Sequence, residues 1–177
     1  MSRAAAMPRI QLGPIQSRDA AVLFGWINDP DLVRFNAAYQ PTHESTHREW
    51  LAGLAKQRDR VVFAIRLARS KRLIGVCQLT NINTVARQAE LQIRIGDDRA
   101  RGRGLGLEAV RALVAFGFND LNLHRISLQV FATNRRAVTT YERAGFAHEG
   151  TLRDGAFING RFVDVLVMSV LEDEAAR

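Results

Sequence analysis

Cysteine is nearly absent from this chain, which carries a single one, Cys77, in 177 residues. One cysteine excludes a disulfide within the chain, and its apolar neighbours predict a buried structural thiol rather than a nucleophile. Long apolar runs are also missing: there is no stretch of about eighteen apolar residues, and residues 1–9 contain arginines without an apolar segment. These absences predict a cytoplasmic protein with no membrane partner.

The charge balance is strongly basic, with a formal net charge of +7 and a pI of about 10.8. Such a charge attracts polyanions, either nucleic acid or a phosphate-rich cofactor. The arginines are spread along the chain, with one local concentration at Arg99, Arg101 and Arg103, and they form no long basic arm. Nucleic acid is therefore the less favoured partner, and a small phosphate-bearing ligand is favoured.

The length and the 47% of hydrophobic residues suit one core, so we expect a single domain over residues 1–177. Residues 1–8 and 172–177 are expected to be flexible ends. Apolar periodicity predicts the order strand, two helices, three strands, helix, strand, helix and two strands. A mixed α/β sheet with flanking helices is the natural packing of that order.

Several elements have clear limits in the sequence. Alternation predicts strands at 61–67, 73–81, 90–95 and 125–131, and helical spacing predicts helices at 104–121 and 135–144. The last two strands, within 148–171, are predicted to join through Asn159-Gly160, a strong hairpin signal. Asn28-Asp29-Pro30 is interpreted as the end of the first helix.

The most informative passage is a glycine-rich loop between a strand and the long helix, with the sequence Arg101-Gly102-Arg103-Gly104-Leu105-Gly106. Glycines let the backbone approach a ligand closely, and a helix N-terminus offers unpaired N–H groups and the positive end of the dipole. The loop therefore predicts a pyrophosphate site. It lacks the Gly-Lys-Ser/Thr of a P-loop, and it does not match the dinucleotide fingerprint.

Two motifs together resemble one known family. The pattern Arg101-x-x-Gly104-x-Gly106 after a strand is similar to the acetyl-CoA signature of the GNAT superfamily of N-acetyltransferases. A strand followed by Asn134 and by a helix that carries Tyr141 resembles the later motif of that family. The resemblance extends over about residues 10–171, and its character is that of the branch with ribosomal-protein N-terminal, spermidine and nucleotide-sugar amine acetyltransferases.

The resemblance implies a fold and a cofactor. The fold would be a central, mostly antiparallel sheet of about seven strands with a splayed parallel pair, flanked by about four helices. Acetyl-CoA would be the co-substrate, with no metal, and its acetyl group would pass to a primary amine by direct attack on the thioester. Backbone groups of Ile93, Arg94 and Ile95 would line the pantetheine and offer an N–H to the oxyanion.

The same resemblance assigns the remaining site residues. The loop from Arg101 to Gly106 would bind the pyrophosphate, assisted by the charge of Arg136, and Asn134 would contact the cofactor from the other splayed strand. Tyr141 would protonate the coenzyme A thiolate, because a phenol with a free pKa near 10 suits a thiol that titrates near 8.5. The competing interpretation is a tyrosine that only packs. Glu90 is the candidate base that would accept the ammonium proton, directly or through water. The alternative is a solvated glutamate that only opens the strand.

The acceptor stays open between a protein N-terminus, an amino sugar on a nucleotide, a polyamine and another small amine. Its determinants are expected in residues 26–50 and in the loop 155–161, where no specific motif is found. A strongly basic chain repels a polycation, so the polyamine ranks below the others. A homodimer edge at the C-terminal hairpin is a further expectation.

Two rival functions also remain. One is a non-catalytic module that binds coenzyme A or nucleic acid. The other is a zinc hydrolase, because His43-Glu44-x-x-His47 places two histidines one helical turn apart, although no third ligand pattern follows.

Overall fold

The computed structural model describes residues 7–175, which form one seven-stranded sheet with helices packed against it. The strands are β1 (Ile10–Gly13), β2 (Val61–Leu67), β3 (Leu73–Asn83), β4 (Gln88–Ile95), β5 (Arg125–Phe131), β6 (Ala147–Ile158) and β7 (Arg161–Leu171). The helices are α1 (Ala20–Ile27), α2 (Pro30–Val33), α3 (Glu44–Gly53), α4 (Leu105–Asn119), α5 (Arg135–Arg143) and α6 (Glu172–Ala175).

The predicted fold class is confirmed. The strand order is β1-β2-β3-β4-β5-β7-β6, and every neighbouring pair is antiparallel except β4 and β5. Four helices have eight residues or more, and α2 and α6 are single turns of four residues. The sequence prediction missed α2, which begins directly after the Asn28 cap of α1. Asp29 caps this second helix, and its side chain accepts the N–H of Asp31 at 2.9 Å.

The parallel pair β4–β5 is short and then diverges. Register runs only from Gln88 opposite Arg125 to Glu90 opposite Ser127, although both strands continue beyond these residues. The edge of β4 that faces β5 therefore has no strand partner from Leu91 to Ile95. Backbone N–H and C=O groups on such an edge are free to bind a ligand, and buried ones require a partner.

Helix α4 packs closely on the sheet through the apolar stripe that the sequence predicts. Val110 and Leu113 have no exposed surface, and Gly117 lies so near β5 that a Cβ there would come within 2.7 Å of the Ile126 side chain. At the other end of the helix, Gly106 lies beside Ile95. The N-terminus of α4 is therefore close to the end of β4.

A buried ion pair fixes the start of α1. The carboxylate of Asp19, directly before the helix, accepts a hydrogen bond from the guanidinium of Arg66 on β2 at 2.5 Å. Both side chains are at most 10% exposed, so each charge depends on the other for neutralisation. The pair holds α1 at the sheet face where α3 also packs.

The two chain ends were predicted to be flexible. The N-terminal prediction falls mainly on residues 1–6, which lie outside the described residues, as do residues 176 and 177. Residues 172–175 form the helical turn α6, and Glu172 pairs with Arg87 at 3.1 Å. The expected flexibility of the two ends stays a prediction.

The predicted C-terminal hairpin is present. Asn159 and Gly160 both have positive φ, 52° and 75°, as a tight two-residue hairpin turn requires. Strand β6 forms an edge of the sheet, where Phe157 and Phe162 are more than half exposed and meet edge to face. The homodimer expected there stays a prediction.

Cys77 is buried as the sequence predicts, with 1% of its surface exposed. Burial raises the pKa of its thiol from 9.0 to about 12. Among the described helices, none is sufficiently long and apolar to span a membrane.

The buried thiol predicts a loss of stability in alkali. In the unfolded chain Cys77 ionises near pH 9, whereas the folded protein keeps the proton up to about pH 12. The free energy of unfolding should therefore fall by about 1.4 kcal/mol for each pH unit above 9 from this group. Cys77→Ala should lose about 1 kcal/mol at neutral pH but remove that slope, as measured by urea unfolding between pH 8 and 10. An identical slope in the variant would contradict the assignment.

Candidate active site

Two cavities of about 710 Å³ each meet at the free edge of β4. Four residues line both: Phe35, Asn36, Ile93 and Arg94. The loop cavity lies between the glycine-rich loop and α5. The aromatic cavity lies between β4 and helices α1 and α3, with Trp26, Phe35, His47, Trp50 and Phe131 in its wall.

The loop cavity has the geometry of an anion site at the N-terminus of α4. Gly104 caps this helix with φ of +77°, and Gly102 has φ of +74°, conformations that side chains rarely adopt. The first backbone hydrogen bond of α4 runs from Glu108 to Gly104, at 3.2 Å. The N–H groups before Glu108 therefore have no partner within the helix. An extended phosphate-bearing ligand fits this surface, because the positive end of the helix dipole lies there.

Arg101 contacts the strand end as well as the loop cavity. Its Nε donates to the carbonyl of Ile95 at 3.0 Å, and its terminal nitrogen donates to Gly96 at 3.2 Å. A further nitrogen pairs with Asp98 at 2.5 Å. The guanidinium thus fastens the loop to the end of β4, a structural contact that the sequence prediction did not include.

The predicted loop residues do not all reach the cavity. Arg101, Gly102, Gly104 and Gly106 line it, but Arg103 is exposed outside the lining and Leu105 is a core residue with 4% exposure. The predicted Arg136 lines the cavity. So do Arg135 and Arg143, which sequence reasoning missed although both lie on the same predicted helix.

Asn134 lines the loop cavity and also caps α5. Its side-chain oxygen accepts the N–H of Ala137 at 3.2 Å, and its amide nitrogen donates to the carbonyl of Phe35 at 3.4 Å. The asparagine therefore connects the start of α5 to the segment that follows α2. An asparagine directly before a helix is a known capping signal, so this contact was readable from the sequence.

Tyr141 lines the loop cavity on the α5 side. Only 7% of its surface is exposed, and its ring packs against Phe146 with the centroids 5.8 Å apart. Burial raises the pKa of the phenol to about 12, because the charged phenolate would lose solvation. The hydroxyl is thus held in its protonated form throughout the usual assay range.

Glu90 lies in the wall of the aromatic cavity, where β4 and β5 begin to diverge. Its two carboxylate oxygens accept long hydrogen bonds, from the amide of Asn81 at 3.3 Å and from that of Gln92 at 3.4 Å. Glu90, Gln92 and Arg94 alternate along β4 with residues that pack in the core, so these three side chains belong to the opposite face.

The histidine motif forms part of the aromatic cavity wall. His47 is 7% exposed, its Nε2 donates to the carbonyl of Ala20 at 3.0 Å, and its ring stacks on Trp50 with centroids 5.6 Å apart. His43 precedes α3, and Glu44 pairs with Arg48 at 3.2 Å. Within residues 7–175 no three histidine, cysteine or acidic side chains lie close enough to hold a metal ion.

Gly96, the residue directly after β4, packs against Trp26 in the wall of the aromatic cavity. A Cβ at this position would come within 2.0 Å of the Trp26 ring, so the indole lies directly on the glycine backbone. Trp26 in turn lines the cavity. The first helix and the loop that follows β4 are therefore packed together, and the aromatic wall depends on this glycine.

A sequence profile described as the acetyltransferase (GNAT) domain matches residues 9–147. The chain belongs to the GNAT acetyltransferase family. The match begins just before β1 and ends at the first residue of β6. It therefore includes β4, α4, β5 and α5, the elements around which the two cavities lie.

Individual relatives agree with this assignment. Spermidine N(1)-acetyltransferase of Vibrio cholerae is 40% identical over 104 residues, which are 59% of this chain and 60% of that protein. An uncharacterized N-acetyltransferase of Bacillus licheniformis, p20, is 30% identical over 173 residues, 95% of this chain and 96% of the relative. The alignment with the spermidine enzyme thus spans less than two thirds of its length.

The fold comparison covers more of the chain. The crystal structure of spermidine N-acetyltransferase from Vibrio cholerae in complex with CoA and spermine superposes with a TM-score of 0.89 at 29% identity. The superposition covers 96% of this chain and 99% of the other. The predicted resemblance to the branch that contains spermidine acetyltransferases is confirmed.

Proposed function

We propose that this protein is an acetyl-CoA-dependent N-acetyltransferase that acts on the primary amine of a small molecule. The observation that carries the proposal is the divergence of β4 from β5 after Glu90, which leaves the β4 edge open where the loop cavity and the aromatic cavity meet. A cofactor held on one side of this opening and an amine held on the other would react across it.

The loop cavity suits the cofactor. When bound, acetyl-CoA supplies an acetyl group activated as a thioester. The first turn of α4 and the backbone at Gly102 and Gly104 would bind its pyrophosphate, with Arg101 and Arg136 adding positive charge. Backbone groups at Ile93, Arg94 and Ile95 would hold the pantetheine arm, and one N–H there would stabilise the charge that develops on the carbonyl oxygen.

The aromatic cavity suits a small acceptor. Its volume of about 710 Å³ lies within the range typical of small-molecule sites, and its wall combines aromatic rings with a few polar groups. Its size and its aromatic wall support a small-molecule amine over a protein N-terminus. In the reaction, the neutral amine nitrogen forms a bond to the acetyl carbon while the bond from carbon to sulfur breaks.

Two side chains would move the protons. Glu90 would accept the proton that the ammonium group must lose, directly or through water, because its carboxylate lies in the cavity wall with only long hydrogen bonds. Tyr141 would give its proton to the departing thiolate, because burial keeps the phenol protonated and available as an acid. The tyrosine would regain its proton from solvent between turnovers.

A thiol-release assay tests the function. The purified protein with acetyl-CoA and a panel of primary amines should release free coenzyme A in proportion to enzyme, and the acetylated amine should appear by mass spectrometry in equal amount. Spermidine belongs in the panel because relatives are named for it. A protein that binds coenzyme A but releases no thiol above acetyl-CoA hydrolysis with any amine would be the non-catalytic module instead.

A further inference from the structure

The wall of the aromatic cavity carries an unusual set of charges for a site that receives an amine. Its charged side chains are one carboxylate, Glu90, and two guanidinium groups, Arg60 and Arg94. The fourth polar side chain of note is His47, whose Nε2 is hydrogen-bonded to a backbone carbonyl. An amine is positively charged before it reacts, so one carboxylate suits it. The two guanidinium groups have no such use, and they would repel any second ammonium group.

Arg94 is the more informative of the two. Its Nε is buried without a hydrogen-bond partner, and no salt bridge joins this side chain to another residue in the range 7–175. Burial also lowers the pKa of its guanidinium, as expected where no neighbouring anion compensates the lost solvation. Buried polar groups in proteins are normally paired, so a ligand that supplies oxygen atoms would complete this site.

The spacing along β4 separates the two charges. Glu90 and Arg94 are four residues apart on the same face of the strand, so their Cα atoms are about 13 Å apart, with Gln92 between them. Arg60 lies in the same cavity wall directly before β2, whose first residue Val61 pairs with Leu79, the partner of Leu91 on β4. Arg60 is therefore level with Glu90 and not with Arg94. The carboxylate of Glu90 is thus at one end of the β4 face, and the unpaired guanidinium of Arg94 is at the other.

We propose that the acceptor is a zwitterionic small molecule, with a primary amine directed to Glu90 and a carboxylate or phosphate bound by Arg94. The inference rests on the proposed function and narrows it. A planar guanidinium binds either oxyanion through paired N–H groups, which also fixes the orientation of the ligand. The amine would then lie beside Glu90, where β4 and β5 begin to diverge. A polyamine lacks the anion and adds positive charge opposite Arg94.

The experiment compares acceptors that differ in one terminal group. The matched set is an ω-amino carboxylate, its carboxamide, the diamine of equal chain length and the corresponding aminoalkyl phosphate, with spermidine alongside. For the wild-type protein, kcat/KM should be highest for one of the two oxyanion acceptors, and their ratio identifies the preferred anion. A series of ω-amino carboxylates of increasing length should show an optimum, because the two ends of the site are fixed.

The variants assign the preference to Arg94. Arg94→Gln should lower kcat/KM for the oxyanion acceptor by roughly 30-fold or more, the lower limit of the effect for truncating one side of a buried charge pair. The kcat/KM for the neutral carboxamide and the KM for acetyl-CoA should change much less than the kcat/KM for the oxyanion acceptor, because only the backbone of Arg94 belongs to the proposed pantetheine site. Arg94→Lys, which keeps the charge but loses the planar fork, should be intermediate. Arg69→Gln, an exposed arginine outside both cavities, is the matched control.

The contrary results are distinct from a failure of the proposed function. Faster turnover of the diamine or spermidine than of both oxyanion acceptors would overturn the zwitterion while leaving acetyl transfer intact. A raised KM for acetyl-CoA in Arg94→Gln, with unchanged selectivity among acceptors, would assign Arg94 to the cofactor and also overturn it. Calorimetry gives an independent measure: a carboxylate without the amine should bind the protein–coenzyme A complex and not the Arg94→Gln complex. Equal binding to both would refute the anion site.

Discussion

Tyr141→Phe should reduce kcat by roughly 10²- to 10⁴-fold while leaving acetyl-CoA binding unchanged, because general acid catalysis contributes about that much. The substitution keeps the ring that packs against Phe146 and removes only the hydroxyl. Since burial raises the pKa of Tyr141 to about 12, the tyrosine is protonated and able to act as an acid throughout the assay range. Steady-state kinetics together with calorimetric titration of coenzyme A would measure both quantities.

The structure also changes the expected pH profile. A free tyrosine would lose its proton near pH 10. Because the pKa of the buried Tyr141 is about 12, ionisation of this residue should not lower the activity until the pH approaches 12. The matched control is Tyr39→Phe, which removes a partly exposed hydroxyl outside both cavities. Full kcat in Tyr141→Phe would show that the tyrosine only packs and that water protonates the thiolate.

The sequence was most informative where apolar alternation has clear limits. Strands β2 and β5 were predicted with the observed bounds, Val61–Leu67 and Arg125–Phe131, because polar residues and a turn flank each one. The long helix was predicted two residues too long at its C-terminal end, where the chain leaves α4 at Asn119. Helix α2 was missed because Asp-Pro was interpreted as a stop, although Pro at the first position after an Asp cap also starts helices.

The candidate site could be predicted only in part. The loop and Tyr141 were found because their motifs are local in sequence, and both line the loop cavity. For the aromatic cavity the sequence indicated only two segments, 26–50 and 155–161, and residues of both line it. Its individual wall residues could not be predicted, because α1, α3, β2, β4 and the β6–β7 hairpin are distant in sequence. The unpaired state of Arg94 could not be read at all, because it depends on which acidic side chains the fold brings near the guanidinium.

Gly104→Val should abolish the thermal stabilisation that acetyl-CoA gives to the wild-type protein. At a ligand concentration of a hundred times the dissociation constant, binding should add roughly 2.7 kcal/mol, which corresponds to a rise in Tm of roughly 5 to 10 °C for a chain of this size. Gly104 has φ of +77° at the cap of α4, and a β-branched residue strongly disfavours that conformation. The cap would rotate, and the first-turn N–H groups would no longer converge on the loop cavity.

Backbone strain by itself must be separated from the loss of the binding surface, and the chain offers a matched control for this purpose. Gly160 has nearly the same φ, +75°, and a Cβ added at this position would meet nothing within 4 Å. Gly160 lies in the hairpin turn, outside both cavities. Gly160→Val should therefore lower the Tm of the free protein by a similar amount and still respond fully to acetyl-CoA. Differential scanning fluorimetry with and without ligand measures both effects, and a full ligand-induced shift in Gly104→Val would remove the loop from the cofactor site.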